Sequence, residues 1–369
     1  MNFWQPINPS TKIAFLFLMY SSQVVAQQIP QTICFYYNWY GSKSIDGENH
    51  HWKHPVMPEN DKDTTSKIFQ GNGDIGANYY PELGEYSSAD SLVIKKHVQQ
   101  MASAGFSIVA VTWLGKDDYT YKSLSLIFKY AAQSNLKICF QIEPCVRKSA
   151  LATVNEMQFV IEQFGNLPAF YRDEKSKRPM FFVYDSYVIP ASEWNKVLSK
   201  ANDELLFRNT KYDSDVIGLF CGKEDTAFFQ KAGFDGIYTY FASRGFTYGA
   251  DPENWKYLKS FADKLQLKFI PSVGPGYNDN RIRPWNKNNT KEREKGKYYD
   301  RFFEDALGCD LDWIGLTSFN EWHEGTQIEP AQSYQFKDAI YLDYEGLPED
   351  YYLTRTRYWL NKWNISKIK

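Results

Sequence analysis

Glu321 and Glu324 lie three residues apart in the segment Ser318-Phe319-Asn320-Glu321-Trp322-His323-Glu324-Gly325-Thr326-Gln327-Ile328-Glu329-Pro330. Two neighbouring carboxyls can divide acid–base work on a glycosidic bond: one protonates the leaving oxygen while the other assists attack. Two glutamates in a polar loop are, taken alone, solvated charges. Their place just after an apolar run, beside Trp322 and His323, favours a working pair, and Asn320 adds a hydrogen-bond donor. A second group is His50-His51-Trp52-Lys53-His54, which holds three of the five histidines. The spacing matches neither a zinc finger nor a His-Glu-x-x-His helix, and Lys53 stands among the imidazoles. Neutral donors, or a loop packed by its Trp, are expected there instead of a metal. No phosphate-binding loop, Gly-x-Ser-x-Gly elbow or nicotinamide fingerprint competes.

Apolar runs of strand length must position these groups. They fall at 33–39, 107–113, 137–143, 180–185, 216–221, 235–240, 267–273 and 313–319. They are continuous and rich in β-branched and aromatic residues, as strands buried on both faces are. Helical spacing appears at 89–104, 122–134, 151–164, 191–203, 225–232, 253–265 and 296–308. This alternation predicts the α/β class, a (β/α)₈ TIM barrel with long loops at the C-terminal face of the strands. A doubly wound open sheet is the alternative, but no glycine fingerprint follows the first strand. The barrel brings the strand ends to one mouth: Tyr37, Asn38 and Tyr40; Trp113; Glu143; Asp185 and Tyr187; Tyr238 and Tyr240; Ser272; and Glu321. The long connections 40–88 and 274–295 are expected to wall the site.

Composition narrows the classes. The 369 residues carry 42 Lys+Arg against 44 Asp+Glu, too balanced for an electrostatic nucleic-acid binder. No apolar run reaches the ~20 residues that span a bilayer. Aromatics are 17% of the chain, which fits either a ring-rich core or a cleft on which sugar C–H faces stack. Five cysteines at long spacings, without a Cys-x-x-Cys pair, form neither a zinc cluster nor a disulfide framework, although Cys139 and Cys145 could pair in an exported chain. The run Ile13–Tyr20 after Lys12, followed by Val24-Val25-Ala26, has the form of a secretory signal cleaved after Ala26. Residues 1–26 are therefore expected to be a signal peptide and 27–369 one catalytic domain. A secreted or periplasmic monomer is expected.

From about residue 33 to about 360 the chain resembles glycoside hydrolase family 99, the endo-α-1,2-mannosidases and endo-α-1,2-mannanases. The resemblance is carried by FYYNWYG (35–41), HWKHPV (51–56), DIGANYYPELGEYSS (74–88), IEP (142–144), FFVYDSY (181–187), GFDGIYTYFA (233–242), GFTYG (245–249), FIPSVGPGYND (269–279), IRPWN (282–286) and SFNEWHEGTQIE (318–329).

The resemblance implies a retaining endo-hydrolase that cuts internal α-1,2-mannosidic bonds in mannan or mannose-rich glycans, with no cofactor or metal. By that resemblance Glu321 deprotonates the sugar's 2-hydroxyl, which attacks the anomeric carbon and forms a 1,2-anhydro sugar. Glu324 protonates the leaving sugar and then activates water. The resemblance also implies a sugar pocket built by Tyr37, Glu143, Tyr240 and the loop of His51, Trp52 and His54. Arg283, Trp285 and Asn286 reach toward the leaving group. Tyr40, Trp113 and Tyr187 at the strand ends, and Asn320 and His323 beside the glutamates, join the candidate set by their positions in the sequence. One position departs: Leu114 stands where family members carry an aromatic ring, which puts the outer sugar subsite in question and admits a substituted, for instance sulfated, mannan. A non-catalytic carbohydrate-binding barrel is the remaining alternative. Animal members are membrane-anchored in the Golgi, whereas this chain shows a cleavable-looking signal.

Overall fold

The computed structural model describes Met1 and residues 31–60, 67–143, 149–201 and 207–368. Apart from Met1, the expected signal at 1–26 lies outside the described residues, as does Cys145. Eight strand positions form the barrel: β1 Gln31–Tyr36, β2 Ile108–Trp113, β3 Lys137–Ile142, β4 Met180–Val183, β5 Asp215–Leu219, β6 Gly236–Tyr238, β7 in two pieces, Lys268–Ile270 and Ser272–Val273, and β8 Trp313–Leu316. Every pairing among them is parallel. The order runs from the first piece of β7 through β6, β5, β4, β3, β2, β1 and β8 to its second piece. Only Pro271 separates those two pieces, so the sheet closes on itself. Proline has no N–H to give a ladder, which splits the strand there. Its carbonyl still accepts from the Gly315 N–H of β8 at 2.8 Å.

The strands are buried almost throughout. A parallel sheet covered by helices on its outer face buries both sides, which is why the sequence shows solid apolar runs instead of alternation. The covering helices are α1 Ser91–Ala104, α2 Leu124–Gln133, α3 Ala150–Phe164, α4 Ala191–Leu198, α5 Asp225–Ala232, α6 Trp255–Lys264, α7 Lys297–Leu307 and α8 Tyr351–Ile368. Local chemistry sets their ends. Asp90 caps α1 by accepting from the Leu92 N–H at 2.8 Å, and Gly105 closes it in the left-handed region. The helix expected over 191–203 stops at Leu198, because Ser199 turns to an extended backbone. Helix α8 was not expected. Its inner face is Tyr352, Thr356, Trp359, Leu360 and Trp363, all buried. Arginines and lysines between these polar-tipped residues hide the 3.6-residue period of an aliphatic stripe.

Three β-arms decorate the mouth. Lys53–Pro55 pairs with Ile68–Gln70 inside the connection after β1. Tyr80–Pro81 pairs with Ala331–Gln332, which fastens that connection to the one after β8. Tyr334–Phe336 folds on Ala339–Tyr341. At the strand N-terminal end, Arg178 and Arg208 pair with Asp213, Asp215 and Asp235. In a barrel that end serves stability and the opposite end serves chemistry.

Candidate active site

The segment after β8 folds back on itself through its own polar groups. Ser318 Oγ accepts from the Glu321 N–H at 2.7 Å and bonds Thr326 Oγ1 at 2.9 Å. The Ser318 N–H donates to Thr326 O at 2.9 Å, and the Ile328 N–H to Ser318 O at 3.0 Å. Asn320 ties this loop to the end of β1: its amide donates to Tyr37 O and its carbonyl accepts from the Tyr37 N–H, each at 2.8 Å. Tyr40 donates its hydroxyl hydrogen to Asn320 O at 3.0 Å and accepts from the Trp322 N–H at 3.1 Å. Trp52 stacks on Tyr40 at 4.1 Å and donates to Tyr86 O at 2.7 Å. Beneath them Glu329 accepts from Tyr86 at 2.7 Å and Trp322 Nε1 at 2.9 Å, and meets His97 of α1 at 2.9 Å. The loop is thus anchored to a barrel strand and to a helix.

On this support stand the two carboxyls. Glu321 is 4% exposed, accepts from the His323 N–H at 3.2 Å through Oε1, and has no protein partner for Oε2 among the described residues. Glu324 is more open. Its Oε1 lies 3.4 Å from Arg283 Nη1, and Arg283 also reaches Asp279 at 3.2 Å. Asp279 is fully buried and is held by the Tyr277 hydroxyl at 2.8 Å and Asn286 Nδ2 at 2.9 Å. Burial pushes both glutamates above the usual carboxylate range, Arg283 opposes the rise, and Glu321 adds to that of Glu324. Such a pair titrates as a unit, and near neutral pH it retains a proton.

Glu143 follows β3 and accepts from Thr112 Oγ1 at 2.7 Å and Gln141 Nε2 at 2.8 Å. Burial lifts it to about 7 against the pull of these two donors. The Tyr37 and Tyr240 hydroxyls touch, and Tyr184 packs edge-on against Tyr240 at 5.2 Å. Burial, then the nearby glutamates, raise the Tyr37 phenol well above 10, so it stays neutral. His323 Nε2 lies 2.9 Å from the His51 carbonyl. A carbonyl can only accept, so Nε2 carries the hydrogen and Nδ1 faces Glu321 Oε1 at 3.6 Å as a lone pair. His54 packs 4.4 Å from the His323 ring, and His51 stacks on Trp39 at 4.5 Å. Burial lowers His54 and His323 to about 4 and His51 well below its ordinary value, so these imidazoles are neutral at pH 7.

The sequence-predicted residues therefore fall into four placements. Tyr37, Glu143, Tyr240, Arg283, His51, His54 and His323 gather around Glu321 and Glu324. Tyr40, Trp52, Asn286 and Asn320 lie behind that group and are occupied in holding backbone or Asp279. Trp113 turns to the helix layer, where Nε1 donates to Glu156 of α3 at 2.8 Å. Tyr187 and Trp285 are exposed rim residues, bonded to Asp185 at 3.0 Å and Met57 O at 3.2 Å. Sequence reasoning missed Trp39, Tyr184, Tyr277 and Asp279. Tyr277 and Asp279 belong to the Gly-Tyr-Asn-Asp run after β7, where an aromatic beside an acid at a strand end was the available signal.

Replacing Arg283 by Met removes the cation beside Glu324. An opposite charge favours the ionised carboxyl, so its loss raises the acid's pKa. The expected result is an alkaline limb of kcat/KM displaced to higher pH in the variant. An unmoved limb in paired pH–rate profiles would show that some other group supplies the proton.

No helix among the described residues is long and apolar enough to cross a membrane. The Glycosyl hydrolase family 99 model matches residues 29–365. Glycoprotein endo-alpha-1,2-mannosidase of Mus musculus is 42% identical over 347 residues, 90% of this chain and 75% of that protein. Its Rattus norvegicus counterpart is 40% identical over 365 residues, covering 94% and 79%. The solved structure of the GH99 endo-alpha-mannosidase from Bacteroides thetaiotaomicron superposes with a TM-score of 0.87 at 44% identity, covering 92% of this chain and 99% of that one. With its barrel, its carboxyl pair and these relatives, the chain belongs to glycosyl hydrolase family 99.

Proposed function

We propose that this chain is a retaining endo-α-1,2-mannosidase acting on mannan or mannose-rich glycans. The observation that carries the reading is the buried Glu321 and Glu324 pair sharing Arg283 at the barrel mouth, in a chain 42% identical to a mouse protein named for that activity. In the proposed first step Glu321 takes the proton of the 2-hydroxyl, O2 bonds to C1, and the C1–O glycosidic bond breaks as Glu324 gives its proton to the departing oxygen. The product is a 1,2-anhydro sugar. In the second step Glu324, now ionised, takes a proton from water, the hydroxide oxygen bonds to C1, and the C1–O2 bond opens as Glu321 returns its proton to O2. Two inversions give net retention.

The proton must be on Glu324 when the first step begins. Burial raises both carboxyls and Arg283 draws both down, so the pair holds its proton in common. Substrate fixes its place: a 2-hydroxyl donating to Glu321 Oε2 stabilises that carboxylate, and a glycosidic oxygen accepting from Glu324 stabilises that acid. Neutral His323, Tyr37 and Tyr240 and the Glu143 carboxyl supply hydrogen-bonding groups for sugar hydroxyls. The chain's own residues supply each proton in this scheme, without a cofactor.

Leu114 motivates a second reading. It is half-buried just past β2, and a leucine there offers an outer sugar less stacking surface than a ring, a difference of ~1 kcal/mol. A substituted mannan, sulfated for instance, is the substrate that this reading favours. Digestion of yeast mannan backbone, a glucosylated high-mannose glycan and sulfated mannans, with product sizes read by mass spectrometry, decides between them. Oligosaccharide products are expected, and release of single sugars alone would overturn internal cleavage. Residues 1–26 are proposed as a signal for export of a monomeric enzyme to the periplasm or medium. The Lys12–Ala26 pattern supports this, and the mass of the exported protein tests it.

A further inference from the structure

Arg293 is 1% exposed, yet no carboxylate among the described residues lies within ion-pair distance of it. Its guanidinium sits over three tyrosine rings, Tyr79 at 4.6 Å, Tyr344 at 4.7 Å and Tyr352 at 4.5 Å from the centroids. One nitrogen, Nη2, donates to two carbonyls, Gly325 O at 2.9 Å and Gln327 O at 2.8 Å. Those carbonyls belong to the residue directly after Glu324 and to one two positions beyond it. A buried cation without a counter-ion is unfavourable, and an apolar side chain of similar volume commonly serves packing as well or better. Ring faces and charge-assisted hydrogen bonds offset that burial only in this geometry.

The surroundings give the contact its meaning. Residues 277 and 291 exchange backbone hydrogen bonds at 3.0 and 2.8 Å, so Arg293 leaves the same short ladder that carries Tyr277. Tyr277 holds Asp279, which holds Arg283, which faces the Glu324 carboxyl. Gly325 has φ +63, and a Cβ there would meet Asn278 O at 2.8 Å, so the chain at this turn lies hard against the β7 connection. The Asn278 N–H donates to Glu324 O at 2.8 Å. The segment after β7 therefore grips the glutamate loop at three points, at the carboxyl through Arg283 and at the backbone through Asn278 and Arg293.

We infer that Arg293 is a positioning residue for this reaction: its tyrosine-caged guanidinium clamps the Gly325 and Gln327 carbonyls and so fixes where the Glu324 carboxyl stands relative to Glu321. The inference rests on the proposed roles of those two glutamates. A carboxyl misplaced by ~1 Å loses about 10²-fold in rate. Arg293→Lys keeps a charge but replaces the planar guanidinium that lies against three ring faces with a compact ammonium, so the donor is no longer held between the rings and the two carbonyls. For Arg293→Lys and Arg293→Met the expected result is a kcat on an α-1,2-linked oligomannoside lowered about 10²-fold, a KM within about threefold of wild type, and altered limbs in the pH–rate profile. Tyr79→Leu removes one wall of the cage, leaves Arg293 in place, and is expected to lower kcat by a smaller factor with KM unchanged. Amide hydrogen exchange on the full-length proteins reads the same clamp without substrate: residues 321–328 are expected to lose protection in the variants while β2 and β3 keep theirs. Folded Arg293 variants with wild-type kcat, pH profile and loop protection would overturn the inference. So would wild-type behaviour of Tyr79→Leu should the Arg293 variants not fold. Unchanged loop protection counts against Arg293 alone, whereas a wild-type protein that cleaves no mannoside counts against the functional reading.

Discussion

Glu321→Gln is expected to lower kcat by about 10⁴-fold, the upper end of what a positioned base contributes. Glutamine keeps the shape of the side chain and can still accept from the His323 N–H through its carbonyl oxygen, so the loop has no reason to move. What it cannot do is take a proton from a 2-hydroxyl. The loss belongs to the first chemical step, so KM should change little while kcat and kcat/KM fall together. The same variant should trap no covalent sugar, because in the proposed mechanism the attacking oxygen belongs to the substrate. Steady-state kinetics on an oligomannoside, with intact-protein mass spectrometry, reads both outcomes. A variant that keeps a tenth of the wild-type rate would remove Glu321 from the reaction.

Glu324→Gln should show a different dependence. Its loss on a natural leaving sugar is expected to reach about 10³-fold, because an alkoxide leaves poorly without a proton. With an aryl leaving group of low pKa the first step needs little acid help, and the defect should shrink to the second step, in which water needs a base. Azide attacks without surrendering a proton, so it should restore turnover and deliver an α-mannosyl azide. The pattern separates catalysis from a barrel that only binds sugar, for which wild type and variant would bind mannan alike and neither would cut it. Equal defects on sugar and aryl leaving groups, with no azide effect, would show that Glu324 is not the acid.

Much of this was legible because burial leaves a mark on sequence. Strands covered on both faces read as solid apolar runs, and all eight stand close to where those runs fall. The glutamates stood out because a polar loop directly follows such a run. Strand faces were harder. Thr112 bonds Glu143 inside the mouth, so by the two-residue alternation Trp113 must face the helices, as its bond to Glu156 requires. Taking every strand-end residue as pocket lining overlooked that alternation. Asn320, Tyr40 and Trp52 have the chemistry of ligand-binding groups, yet backbone distant in sequence uses them up, and no spacing announces a partner such as Tyr37 to Asn320. Helix α8 escaped because its inner face is built of Tyr, Thr and Trp among arginines.

The desolvated imidazoles beside Glu321 bear on the environments this enzyme can work in. An ordinary histidine gains charge as acidity rises from neutral toward about pH 5. His51, His54 and His323 resist that change, so mild acid puts no charge on these three rings beside the proposed sugar site. Any fall in turnover across that span should trace to the acidic side chains alone, and the imidazole NMR shifts of this trio should hold steady through it.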